Sequence, residues 1–386
     1  MTDAIPTIVF LGTHGQYNIG DELLLETFLS QLGDQANYVI NTYDPEFTER
    51  QLGGRYRAEF IDTATDRRAL ISHLRRADVL VFGGGSIIKE LYASIGRHRY
   101  ATLLMILAIV TFTRLVARAP IGMFNIGVGP LPSRGGRMLA KAILRQVSLV
   151  TVRDSASFAL CQRLGLDARV SESADAVFSM SADQLLGESG AATPARGDVI
   201  RVGLNLNHDI ENPDNWEHFQ ESLATAMSAL ADNRRIEIHG IPMQSRGKRN
   251  DDATMLEEFS QRIPNVSFVA HRPETTQDAA RLIHSCDLIV SERLHAIVMA
   301  SILGVPAFVL SYDVKVRGLA KALGLEEAMI DINGPINAPA LASSLEQLLV
   351  DRANATKRLT ARARVLAAQS SDDFDRVRQW LREKAR

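Results

Sequence analysis

Arg293, Leu294 and His295 stand between an apolar strand-like run that starts at Asp287 and an apolar helix-like run that ends at Leu303. A strand-to-helix junction in an α/β protein presents backbone N–H groups and the positive end of a helix dipole. An arginine and a histidine placed there suit an anion that must be protonated. Lys315 and Arg317 follow the next apolar run, Ala307–Leu310, so four basic groups fall on two neighbouring junctions. Such a set repels itself unless an anion or acidic side chains neutralise it. Glu292 is adjacent, and a histidine beside a carboxylate also fits a purely structural pair. Leu294 reads as the apolar residue that anchors the turn in the core.

Four more junctions carry glycine or charge. The first strand runs into GTHGQYNIGDE, with His14, Asn18 and Asp21 among Gly12, Gly15 and Gly20. Its glycine spacing is not that of a dinucleotide fingerprint. The loop still admits close backbone approach to a ligand, while Asp21 serves equally as a helix cap. The run Asp78–Phe82 ends in FGGGS, where Gly84, Gly85 and Ser86 form either a backbone cradle with a hydroxyl donor or a tight helix–sheet contact. NIGVGPLPSRGG, Asn125 to Gly136, closes another strand. LVTVRDSAS then delivers Arg153 and Asp154. Arg153 either pairs with Asp154 or holds a carbonyl, or its fork of donors binds an anion.

These junctions need an alternation of strands and helices to position them. Strand patterns fall at Ile8–Leu11, Tyr38–Tyr43, Asp78–Phe82, Ile121–Val128 and Leu149–Val152, with helical spacing between them, as at Leu25, Phe28, Leu29 and Leu32 before the stop at Gly33. The alternation restarts at Arg201–Leu206 and continues through Ile236–His239, Ser267–Ala270, Asp287–Val290 and Ala307–Leu310. The expected class is α/β, with two doubly wound, Rossmann-like domains facing a cleft. The first covers residues 1–180 and the second 199–350. The stretch 181–198, rich in Gly, Ala, Ser and Pro, reads as a linker, and 351–386 as a charged helical tail able to pack back on the first domain.

Composition narrows the function. A chain of 386 residues with 46% hydrophobic content supports two cores. Its 43 Lys and Arg against 45 Asp and Glu give a net charge of −2, so no global field draws nucleic acid. Two cysteines, Cys161 and Cys286, make no disulfide framework and fit a reducing compartment. The N-terminus lacks the basic start and long apolar run of a signal peptide, which points to the cytoplasm. The apolar stretch Ala101–Thr113, followed by Arg114 and Arg118, is too short to span a bilayer. It reads first as a buried core helix and second as an interfacial one, which would bring the protein to the inner face of the membrane. There is no HExxH, P-loop, GxSxG or metal-spaced cluster, so neither a metal nor a cofactor is expected.

Taken in order, G-x-H-G-x-x-N-I-G-D-E, D-V-L-V-F-G-G-G-S, the G-V-G-P loop, V-R-D-S-A-S, and S-E-R-L-H-A followed by G-V-P and S-Y-D-V-K resemble the polysaccharide pyruvyl transferase family. The resemblance spans Ile8 to Leu325 and leaves the tail uncovered. It implies a glycosyltransferase-B-like arrangement, phosphoenolpyruvate as donor, and a sugar of an exopolysaccharide or cell-wall polymer precursor as acceptor, free or as a lipid-linked oligosaccharide. Pyruvate would be added as a ketal with release of phosphate. The family's donor-binding and catalytic positions fall on Arg153, Arg293 and His295, with Glu292 where many members carry methionine. Substrate contacts are expected from His14, Asn18, Asp21, Gly84, Gly85, Ser86, Leu294 and Lys315. The general base is a choice between His14 and Asp21. A nucleotide-sugar-dependent glycosyltransferase shares the architecture and is the nearest alternative. A non-catalytic regulator would be expected to have lost the Arg-Leu-His tripeptide or Lys315, and both are present.

Overall fold

The computed structural model describes residues 5–91, 98–187, 198–208, 212–245 and 251–384. The chain forms two compact units. The first comprises Met1–Gln16, Asp21–Ser179 and Ala367–Arg386, and the second Tyr17–Gly20 and Met180–Leu366.

The first unit is built on seven parallel strands, β1 (Thr7–Leu11), β2 (Asn37–Thr42), β3 (Ala58–Asp62), β4 (Val79–Gly83), β5 (Ile121–Ile126), β6 (Leu149–Val152) and β7 (Val170–Glu172), in the order β3-β2-β1-β4-β5-β6-β7. The helices between them are α1 (Ile19–Leu32), α2 (Pro45–Leu52), α3 (Arg67–Arg76), α4 (Ala101–Phe112), α5 (Arg134–Leu144) and α6 (Ser155–Arg163). A π-helical turn, Thr113–Ala117, extends α4. Strands β4 and β5 are buried along their whole length, as parallel strands covered on both faces must be. This is why β4 reads as an unbroken apolar run and β5 as one broken only by Asn125. The edge strands β3 and β7 are short and partly exposed. They carry no such run, and the sequence pattern misses them.

The second unit begins with a short helix, α7 (Ala182–Leu186), closed by a capping box between Ser181 and Gln184. The first part of the expected linker is therefore ordered as a capped helix, because Ser181 and Gln184 satisfy each other's backbone donors. Residues 188–197 of that linker lie outside the described residues. Six parallel strands follow, β8 (Ile200–Asn205), β9 (Ile236–Gly240), β10 (Ser267–Ala270), β11 (Leu288–Ser291), β12 (Ala307–Ser311) and β13 (Met329–Asp331), in the order β10-β9-β8-β11-β12-β13. Their helices are α8 (Trp216–Asn233), α9 (Asp252–Ser260), α10 (Thr276–His284), α11 (Leu294–Leu303), α12 (Val314–Leu323) and α13 (Ala338–Val350). A last helix, α14 (Arg352–Lys384), runs from the second unit into the first: residues to Leu366 group with the second and those from Ala367 with the first. On the first unit, Phe374 meets the edge of Phe28 at 5.3 Å and Trp380 that of Phe124 at 5.5 Å.

In each sheet the strand order reverses beside the first strand, between β1 and β4 and between β8 and β11. Open parallel sheets bind ligands outside the carboxyl ends of the strands at such points. No helix among the described residues is long and apolar enough to cross a membrane.

Candidate active site

In the second unit the reversal point is flanked by Asn205, the last residue of β8, and by Ser291, the last residue of β11, with Glu292 and Arg293 following. Asn205 Oδ1 accepts the Arg293 N–H at 3.2 Å and the Ser291 hydroxyl at 3.2 Å. Its amide donates to Ile241 O at 3.0 Å and to Asp252 Oδ2 at 3.1 Å. Asp252 starts α9 and is 1% exposed. It receives Arg293 Nη2 at 2.5 Å on Oδ1 and Nε at 3.1 Å on Oδ2. The Met243 and Gln244 N–H groups reach the same Oδ2 at 3.0 and 3.2 Å. This two-pronged pair fixes the plane of the guanidinium. Gln244 Oε1 adds a contact to Nη2 at 3.3 Å.

The same unit includes Tyr17–Gly20 from the glycine-rich loop. Ile19 donates its N–H to Met243 O at 2.9 Å, and Asn18 bridges Gln244 in antiparallel fashion. Asn18 Oδ1 turns back to accept the Gly20 N–H at 2.9 Å. A Cβ on Gly20 would lie 2.2 Å from His295 Nδ1. The backbone therefore passes so close to the imidazole that any side chain at position 20 would displace the ring. His295 occupies the first turn of α11, half-buried, next to the half-buried Arg293.

Leu294 is half-buried rather than a core anchor, since Ala296, Ile297 and Val298 take the inward positions of that turn. Glu292 is fully buried, with its N–H on Asn205 O at 3.3 Å. Lys315 is half-buried in the first turn of α12, which Asp313 caps by accepting the Lys315 and Val316 N–H groups. Arg317 is exposed and pairs with Asp331 at 2.6 Å.

In the first unit, Arg153 directly follows β6 with its side chain 8% exposed. Nη1 donates to Asp175 Oδ2 at 3.1 Å and Nη2 to Ser86 Oγ at 3.1 Å. Asp154 is farther, 4.0 Å from Nε, and caps α6 through the Ser157 N–H. Ser86 is presented by Gly84 and Gly85, whose φ values of +62° and +71° few other residues adopt. Gly84 donates to Phe124 O at 2.9 Å, and Gly85 O accepts from Gly127 at 2.8 Å, so the GGGS loop is zipped to the end of β5. Asp175 is held in turn by Asn125, whose side chain donates to Ala174 O at 2.6 Å and accepts the Ala176 N–H at 2.7 Å. Asn125 donates its own N–H to Thr151 Oγ1 at 2.8 Å, and that hydroxyl donates to Asp373 Oδ2 on α14 at 2.8 Å.

The other end of the glycine-rich loop is pinned by Asn41, which exchanges hydrogen bonds with the Gly12 N–H and C=O at 2.7 and 3.0 Å. His14 is 2% exposed and lies 5.9 Å from the Phe10 ring. Burial pulls its imidazole down to about 4, partly offset by the Asp21 backbone, so it is neutral at physiological pH. Asp21 itself is half-exposed in the first turn of α1. Its neighbour Glu22 is 1% exposed and accepts the Gly15 N–H at 2.6 Å. Burial pushes that carboxyl up to about 8. Burial also pushes both thiols, Cys161 and Cys286, up to about 12, which leaves neither as a nucleophile near neutral pH.

Asp252, Gln244, Asn205 and Asp175 have no motif to announce them, and Glu22 lies in the glycine-rich motif without being singled out there. The doublet Asp251-Asp252 reads as a helix cap, and Asp251 is one, accepting the Thr254 N–H. Only the fold brings its neighbour onto Arg293.

The sequence profile of the polysaccharide pyruvyl transferase family matches residues 18–314. The chain is 20% identical over 297 residues to the amylovoran biosynthesis protein AmsJ of Erwinia amylovora, covering 74% of this chain and 67% of that protein. Among solved structures, a putative UDP-N-acetylglucosamine 2-epimerase from Listeria monocytogenes superposes with a TM-score of 0.64 at 10% identity, over 97% of this chain and 95% of the other. A glycosyltransferase from Rickettsia africae gives 0.63 at 12% identity over 99% of both. At those identities the likeness is one of fold, that of the glycosyltransferase-B-like class with two Rossmann-like domains. The profile match takes in the reversal point of the second sheet and ends on the first turn of α12, and the chain belongs to the polysaccharide pyruvyl transferase family.

Proposed function

We propose that the protein moves pyruvate from phosphoenolpyruvate to a sugar of an exopolysaccharide or cell-wall polymer precursor, free or lipid-linked, as a cyclic ketal. The observation that carries this reading is the fork of Asp252 on Arg293 with His295 beside it on the first turn of α11. The donor has a phosphate and a carboxylate, and its methylene carbon must gain a proton before its neighbour becomes electrophilic. His295 is assigned that proton transfer, made from the imidazolium to the methylene carbon. The first sugar hydroxyl then adds to the cationic carbon, the C–O bond to phosphate breaks, and a second hydroxyl closes the ketal. One hydroxyl proton passes by way of the general base to restore the imidazolium, and the other leaves with phosphate.

Arg293 and Lys315 are assigned to the donor's anionic groups. Arg153, with Ser86, has an anion-binding role of its own in the first unit. Of the two groups weighed as general base, Asp21 is the more accessible, and His14 is a weak base at a pKa of about 4. The test is release of inorganic phosphate from phosphoenolpyruvate in the presence of a glycoside panel, beside nucleotide release from sugar nucleotides. His295→Ala should cut phosphate release by ~10²–10⁴-fold while leaving donor binding in place. Nucleotide release without phosphate release would make the protein a glycosyltransferase instead.

A further inference from the structure

Helix α4 and its π-helical extension are apolar on two opposite faces. Leu103, Ile106, Val110 and Thr113 point into the core. At helical spacing on the other side, Leu104, Met105, Ala108, Leu115 and Val116 are exposed, with 48% of Leu104, 53% of Met105, 69% of Leu115 and 54% of Val116 open to solvent. An amphipathic helix would put polar residues there. The neighbouring helix α5 adds Met138, 72% exposed, with Arg134 and Arg145 also outward on it. Contiguous exposed apolar surface of this kind marks an interaction site.

Charge identifies the partner. From Leu91 to Arg153 the sequence contains nine Lys and Arg and no Asp or Glu, in a protein whose overall charge is −2. Arg114 and Arg118 are exposed at the end of the apolar stripe, and Arg75 of α3 lies 5.9 Å over the Phe112 ring at its side. A hollow of about 350 Å³ beside the stripe is lined by Arg114, Arg118, Gln146, Ser148, Glu383 and Lys384. We propose that this face of the first unit, the outer side of α4 and α5, docks on a lipid bilayer that carries anionic headgroups. The apolar side chains enter the headgroup boundary and the arginines meet lipid phosphates. A second copy of the chain is the poorer fit, because a two-fold contact would set one basic rim against another. The apolar helix is too short to span, so the contact is peripheral.

The test is flotation of the whole protein with vesicles of phosphatidylcholine alone and of phosphatidylcholine with 30% phosphatidylglycerol. The protein should float with the anionic vesicles and be released as salt rises. Arg114→Ala/Arg118→Ala should bind ~25-fold more weakly, at about fivefold per arginine near the surface. Leu115→Glu should also detach the protein. Both sites are exposed, so thermal melting should match wild type and rule out misfolding. Failure of the wild-type protein to float with anionic vesicles would overturn the proposal. So would equal binding to both vesicle types, or a concentration-dependent dimer in light scattering that Leu115→Glu dissolves. Vesicle binding needs no substrate, and its outcome is independent of the donor assignment.

Discussion

Gly20→Ala tests the placement of His295 without removing it. The new Cβ would stand 2.2 Å from Nδ1, and ordinary contact begins at 3.4 Å, so the ring must retreat by about 1.2 Å. Gly20 lies in the first turn of α1 with no left-handed φ, so alanine suits the backbone there and should hold or raise helix stability by up to ~1 kcal/mol. A misplacement of about 1 Å costs a catalytic group roughly 10²-fold in rate, or about 2.7 kcal/mol of barrier. Turnover in the phosphate-release assay should fall by that factor, with KM for phosphoenolpyruvate little changed and thermal stability intact. The partner experiment combines Gly20→Ala with His295→Ala. If the alanine acts only through the imidazole, it should cost nothing further once the imidazole is gone. Wild-type turnover in the single variant, or a second hundredfold loss in the double, would refute the reasoning.

Asp252→Asn replaces one of the two oxygens that hold Arg293 with a donor facing a donor at 2.5 Å. Breaking a buried pair from one side costs ~3–5 kcal/mol, so urea unfolding should shift and titration of phosphoenolpyruvate should weaken at least tenfold. Unchanged donor affinity would separate Arg293 from the donor. Glu22→Gln should alter how stability responds to pH. A carboxyl raised from 4.5 to about 8 in the fold makes stability fall as pH rises through that window. His14, lowered from 6.5 to about 4, makes stability rise with pH, but only between those values. Of these two groups only Glu22 acts above pH 6.5, and the wild-type protein should lose about 2 kcal/mol more between pH 6.5 and 8 than the glutamine variant does. Chemical denaturation at those two pH values decides it, and equal losses in both proteins would exonerate the carboxyl.

Most of both sheets is legible in the sequence because parallel strands buried on two sides must be largely apolar: β4, β5, β6, β11 and β12 are all of that kind, with Asn125 and Thr151 as interior exceptions. The strands that escape, β3, β7 and β13, sit at sheet edges and owe their pairing to a neighbour rather than to their own pattern. Arg153, Arg293 and His295 are legible because each closes a strand-to-helix junction, and junctions can be located one segment at a time. What holds them is not. Asp175 follows Arg153 by 22 residues and Asp252 precedes Arg293 by 41, and no local rule links residues across such gaps. Tyr17–Gly20 illustrates the same limit, since those four residues sit inside a first-unit motif yet pack with the second.

Asp373 follows Arg153 by 220 residues, yet it is the far end of the series that runs through Thr151, Asn125 and Asp175 to that arginine. A ribosome releases residues in order, so the first unit to emerge has to wait for a helix made after the whole second sheet. Its arginine acquires the full set of supports only once α14 has been made, and a nascent fragment ending short of that helix would carry the residue without its orientation.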